Sequence, residues 1–272
     1  MGFWESVMAQ YAELNAAKAS IPFHISMLHD FYQSFIEGDR WLQYLKGLGV
    51  SIEVTIGALI LGIILGVLVA VVRTLHDQQR PGQSNHLLSL LNALCKFYTT
   101  VIRGTPMMVQ LLIMGFVIFS ASRNLVGVAV LTMGINSGAY VSEIIRGGIM
   151  SIDPGQMEAG RSLGMGYVPV MRHVVIPQAI KNILPALGNE FIMILKETSL
   201  ASTFYLGDLM TSYLLVKGAT YLGFECLIIV GCIYFLLTYP LSKVVGYFEK
   251  RMSSDKSYKN HHKRKLSEGG KI

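Results

Sequence analysis

Residues 50–72, VSIEVTIGALILGIILGVLVAVV, carry a single charged side chain, Glu53 near the start, and the run stops at Arg73. A helix rises about 1.5 Å per residue and needs about 20 apolar residues to cross a bilayer core, so this run is long enough to span one. Other long runs almost empty of charge follow it. Of the 272 residues 52% are hydrophobic and 15% charged, and the mean hydropathy is positive. A soluble domain of this length needs more charge to cover its surface. The chain therefore reads as an all-α, polytopic membrane protein.

Four more spans follow from the same pattern. The second opens at RGTP (103–106), where Thr105 suits an N-cap and Pro106 the first helical position. Its apolar part, 106–121, is short and is expected to extend backwards into KFYTTVI. The third covers 125–147 and turns small and polar towards its end. The fourth, 181–198, has its apolar run interrupted by Pro185, Asn189 and Glu190. The fifth, 221–247, contains Glu225 and Pro240. Spans three to five are less apolar than lipid-facing anchors and are expected to pack on other helices and line a path.

Lys and Arg favour the cytoplasmic side. Arg73, Arg80, Lys96 and Arg103 lie between spans one and two, and Arg146, Arg161, Arg172 and Lys181 between three and four. A dense basic run from Lys243 through HHKRK (261–265) to Lys271 follows span five. The other side carries Lys18, Arg40, Lys46, Arg123 and little else. The N-terminus is thus expected outside and the C-terminus in the cytoplasm. Residues 1–48 are not read as a span. Trp4, Met8, Tyr11, Phe31, Phe35, Trp41 and Leu45 recur at helical spacing, as in one or two amphipathic helices at the outer surface. No secretory signal pattern is seen. The expected division is a leader (1–48), a transmembrane domain (49–248) and a basic tail (249–272), the tail serving as a topology signal that can also meet anionic lipid or a partner. Three cysteines make no disulfide framework, and Cys226 and Cys232 read as small buried apolar side chains.

The most unusual segment is polar. SIDPGQMEAG (151–160) opens with Asp153 as N-cap, Pro154 next and Gln156 completing a capping box, and Gly164 is a natural helix terminator. A helix of about ten residues is marginal alone in water, so it must dock. Ala159, Gly160 and Ser162 let another backbone approach, while Glu158 and Arg161 offer directional polar contacts. Those features leave two partners open: the chain's own membrane domain, or another protein.

EAGRSLG (158–164), followed nine residues later by VVIP (174–177), resembles the EAA loop of permease subunits in binding-protein-dependent ABC importers. Glu158, Ala159, Gly164 and Pro177 match that pattern by identity, and Gly160 stands where the family has a second Ala. The substitution costs about 1 kcal/mol of helix propensity. IRGTPMMVQ (102–110), GAYVSEIIRGGI (138–149), GQMEAGRSLGM (155–165) and IPQAIKNILPALGNEFIMILKETSLAS (176–202) are similar to the polar amino-acid branch of that family (His, Glu, Gln, Arg or opine). The likeness spans about 45–250.

The resemblance implies five core helices of the type I importer permease fold, with a cytoplasmic coupling helix between spans three and four. It implies a multi-pass protein of the bacterial cell membrane, dimerised with a second permease chain and served by an extracytoplasmic solute-binding protein and a cytoplasmic ABC ATPase dimer. ATP and magnesium would be bound by that ATPase, because this chain has no G-x-x-x-x-G-K-[ST] loop. No cofactor, metal site or nucleic-acid partner is expected, nor any catalytic residue. The coupling residues by this resemblance are Glu158, Ala159, Gly160, Arg161 and Gly164.

Ionisable residues at membrane depth are functional candidates. Glu190 can pair with an ammonium group while Asn189 holds a carboxylate, or it can close a helix–helix hydrogen bond. Glu143 and Arg146, three apart, suit a structural ion pair, and Thr198 and Ser199 follow near the end of span four. A gradient-driven carrier or channel, or a non-transporting membrane scaffold, are the rival readings. Neither accounts for the EAA loop as directly.

Overall fold

The computed structural model describes residues 2–79 and 85–268, with side chains up to Met252. Arg80 and the side chains of the basic tail, HHKRK and Lys271 among them, lie outside the described residues. Among the described residues every regular element is helical. The contacts divide the chain into two units, 1–54 with 195–237 and 55–194 with 238–272.

In the first unit, α1 (Phe3–Ala16) and α2 (Phe23–Phe31) pack together. Trp4 meets Phe31 and Tyr32 at ring distances of 6.1 and 5.5 Å, and Tyr11 stacks on His29 at 3.6 Å. The leader is thus folded. A π-helical turn (Tyr32–Ile36) and a short 3-10 turn with Gly38 at φ +62° lead into α3 (Arg40–Asp77). This helix starts ten residues before the apolar run, so the end of the expected leader belongs to the same helix as span one. The unit's core joins Tyr44 of α3 with Leu209, Tyr213 and Val216 of α10 (Leu209–Thr220) and Cys226, Ile229 and Val230 of α11 (Gly223–Glu268). Cys226 is buried as expected, whereas Cys232 is exposed. Asp208 caps α10, accepting from Met210 N at 2.9 Å and Thr211 N at 3.2 Å.

The second unit begins with the rest of α3, followed by α4 (His86–Gly104), α5 (Met107–Leu112) and a π-helical turn (Ile113–Ile118). Span two is not one straight helix: α4 and the segment Met107–Ile118 meet at 104°. Pro106 has no N–H to continue the ladder and biases Thr105 to extended backbone, and Thr105 has ψ 143°. Pro106 therefore precedes α5, and Thr105 closes α4 instead of opening the next helix. Next come α6 (Leu125–Met150), α7 (Pro154–Ser162), α8 (Tyr167–Val170), a π-helical turn (Met171–Val175) and α9 (Ile176–Glu197). Pro185 does not break α9, which runs unbroken through it.

The small residues of span three do pack on another helix. A methyl group on Gly134 would come within 2.6 Å of Leu61, and one on Gly138 within 2.8 Å of Leu65. From the other side, Gly62 and Gly66 of α3 face Ser137 and Val141 at 2.7 and 2.6 Å in the same sense. In lipid, helices associate through such close backbone approach, since burying apolar surface offers little. Phe23–Asp77, Leu125–Met150 and Gly223–Met252 are each long and apolar enough to cross a membrane, and the bent pair α4–α5 makes a fourth when counted as one span.

Candidate functional site: a capped polar helix and a charged cluster

α7 is held at both ends by the devices its sequence announces. Asp153 Oδ1 accepts from Gly155 N at 2.9 Å, with Pro154 at the first helical position. Gln156 does not complete a capping box. Its Oε1 instead accepts from Gln178 Nε2 of α9 at 3.4 Å. At the other end Gly164 takes φ +80°. Gly164 N donates to Arg161 O at 3.0 Å and Met165 N to Gly160 O at 3.1 Å, the bond pair of a Schellman ending. The helix has nine residues.

Its two faces differ. Glu158, Ala159, Arg161, Ser162 and Gly164 are exposed, as is Leu163, at 83%. Gly160, expected on the docking face, is buried inward. A methyl group there would come within 2.6 Å of Val170 Cγ2, and Val170 is fully buried. Glycine thus replaces alanine because α8 packs against that spot. Sequence reasoning passed over Leu163, although an apolar residue beside the terminating glycine was the available signal. Tyr167, half-buried just beyond the helix, has its phenol pKa pushed up by burial.

Glu143 is not simply the partner of Arg146. Its carboxylate pairs with Arg73 of α3, with Arg146 Nε at 3.7 Å and with Arg103 of α4 at 4.0 Å. Arg146 Nη1 donates to Asp77 Oδ2 at 2.7 Å. Arg73, Arg103 and Asp77 were invisible as partners because they lie 40 to 70 positions away in sequence. Arg73 is 9% exposed, and a cation that deep needs a counter-charge. This gives Glu143 a structural task at the ends of three helices.

The remaining expected residues have different surroundings. Glu190 is buried and its neighbour Asn189 exposed, as adjacent helical positions point about 100° apart. Asn189 lines a polar groove of about 480 Å³ with Glu143, Ser151, Lys181, Asn182 and Glu249, and Glu190 does not line it. Thr198 and Ser199 belong to the other unit, in a 3-10 turn (Thr198–Phe204). Their hydroxyls donate to Leu195 O and Lys196 O. No cluster of three or more His, Cys, Asp or Glu suited to a metal occurs among the described residues.

With this geometry in hand, residues 58–254 match the family described as binding-protein-dependent transport system inner membrane component. The chain is 36% identical over 214 residues to the arginine transport system permease protein of Bacillus subtilis, covering 78% of this chain and 93% of that one. It is 34% identical over 222 residues to the probable glutamine ABC transporter permease protein of the same organism, covering 81% and 97%. A solved structure of an amino acid ABC transporter with histidines aligns with a TM-score of 0.69 at 41% identity, covering 77% of this chain and 94% of that one. The chain belongs to the family of inner membrane components of binding-protein-dependent transport systems. It is therefore a membrane-embedded permease subunit of an ABC importer, and the carrier and scaffold readings are set aside.

Proposed function

We propose that this permease carries a polar amino acid inward and receives the energy of ATP hydrolysis through α7. The carrying observation is a nine-residue helix, capped at both ends, with a small and polar outer face and an exposed leucine. Its inner side is already docked through Gly160 on Val170, which leaves the exposed side for a second protein. In this reading Glu158, Ala159, Arg161, Leu163 and Gly164 meet a groove on a cytoplasmic ABC ATPase, which binds ATP and magnesium, while Gly160 fixes the helix to its own domain. Amino-acid cargo rests on the relatives named for arginine and glutamine and on the aligned amino acid transporter.

The proposed topology has five spans, with α9 as the fourth in chain order. The N-terminus is outside and the C-terminus in the cytoplasm, which puts α7 on the ATPase side. Leader 1–48, transmembrane domain 49–248 and tail 249–272 are the working division, with α1 and α2 at the outer surface and the basic tail near lipid headgroups. A second permease chain completes the path, and a solute-binding protein delivers cargo. Asn189 and Glu190 of α9 remain the path residues to test, with Thr198 and Ser199 in the 3-10 turn that follows it. Glu143 borders the path as an anchor for Arg73.

The test is Gly164→Trp in the complete transporter. A Cβ added at Gly164 meets no described atom within 4 Å, although the left-handed backbone makes any replacement strained. Membrane insertion is expected to persist and uptake to be lost. Normal uptake from a well-inserted Gly164→Trp protein would overturn the reading.

A further inference from the structure

Gln110 ends the motif IRGTPMMVQ, and neither α7 nor the charged cluster uses it. Its side chain reaches back across the break in span two. Nε2 donates to Ile102 O at 2.8 Å, to Thr105 Oγ1 at 2.8 Å and to Thr105 O at 3.2 Å. A helix end leaves its last carbonyls without intrahelical donors. Pro106 removes one further donor at this point. The Gln110 amide nitrogen supplies what the bend takes away.

The other half of the same amide does something the bend alone does not require. Gln110 Oε1 accepts from Asn136 Nδ2 of α6 at 2.9 Å, and Asn136 is only 6% exposed. Two more contacts tie α4 to the same stretch of α6. Tyr98 Oη donates to the Ile135 carbonyl, and the Arg103 guanidinium lies 5.3 Å from the Tyr140 ring centroid. α6 ends at Met150 and α7 starts at Pro154. The link between them is fixed by Ser151, whose Oγ donates to Gly148 O at 2.8 Å and accepts from Asn182 Nδ2 at 2.6 Å.

We propose that the Gln110–Asn136 hydrogen bond makes the bend in span two travel with α6, so that movement of α7 reaches the bend through α6. Gln110 is a positioning residue in this scheme and touches no cargo. The proposal rests on the reading of α7 as the coupling helix.

The experiment uses the complete transporter in proteoliposomes, with ATP inside the coupling compartment and a carbon-14 amino-acid mixture as cargo. Asn136→Ala leaves the bonds from Gln110 to Ile102 and Thr105 in place and cuts only the tie to α6. Its expected phenotype is normal membrane yield, unchanged basal ATP hydrolysis, and a maximal uptake rate lowered about tenfold, the size of a typical coupling between sites. Gln110→Leu removes both halves of the clamp and is expected to transport no better. The double variant Gln110→Leu/Asn136→Ala is expected to be no worse than Gln110→Leu, because both act on one bond. Wild-type uptake from Asn136→Ala overturns the proposal, as do losses that multiply in the double variant. Gly164→Trp run alongside separates the two ideas. If it blocks uptake while Asn136→Ala does not, the clamp alone is wrong. If it transports normally, the coupling-helix reading falls and takes this proposal with it.

Discussion

Small residues line both the α3–α6 contact and α7, but they are placed differently. Between α3 and α6 they are spent inside the chain: Gly62 and Gly66 on one helix and Gly134 and Gly138 on the other leave no room for a methyl group. On α7 only Gly160 is used in that way, against Val170. Ala159 and Ser162 are exposed. A small residue that is buried reports a contact already made within the chain, and an exposed one does not. The sequence pattern does not separate the two.

That contrast can be broken or sharpened by substitution. The largest effect is expected from Gly66→Leu, where the first added atom already lies 2.6 Å from Val141 and 3.0 Å from the Ser142 backbone nitrogen. Overpacking of this kind costs about 3 kcal/mol, so little monodisperse protein should be recovered from detergent. Normal recovery would mean that the α3–α6 contact is looser than described. Glu143→Gln comes next, because it leaves Arg73 without its counter-charge. The expected loss is about 2 kcal/mol, less than for a fully buried pair, because the Glu143 side chain is 27% exposed. It should appear as a lower melting temperature, and Arg73→Met in the same chain should restore part of it.

Gly160→Ala tests α7 itself. Alanine improves helix propensity by about 1 kcal/mol, but its methyl meets Val170, and a net loss of about 1 kcal/mol is expected from the overpacking. Pairing it with Val170→Ala should return stability to the starting value or above, which thermal unfolding of the two variants can decide. The smallest effect on stability, within about 0.5 kcal/mol, is expected from Leu163→Ala on the exposed side. There the comparison predicts unchanged melting and weakened binding of the ATPase, measured by co-purification. Unfolding caused by Leu163→Ala would place this side chain among the internal contacts.

The parts legible in advance were those set by local chemistry. Asp153 and Pro154 started α7 and Gly164 ended it where the chain said they would, because capping and a left-handed glycine are decided within a few residues. The capping box failed because Gln178, twenty-two residues away, offered Gln156 another partner. The 104° bend of span two was not foreseen either. RGTP was read as a helix start, yet the same residues also end the preceding helix, and Gln110 and Asn136 make the bend tolerable. Glu143 was paired with its neighbour Arg146, since only the fold brings Arg73 and Arg103 to it.

The sequence by itself determined that the chain is helical and membrane-embedded, that a capped polar helix interrupts it, and which family it belongs to. Those properties follow from apolar run length, turn residues and motif order, all of which act over short stretches. Only the tertiary structure decided which way each face of α7 turns, why residue 160 is glycine, what Glu143 holds and how span two bends. Each of these depends on which distant helix stands within a few ångströms, and in a close-packed interior one methyl group or one unpaired charge is enough to choose.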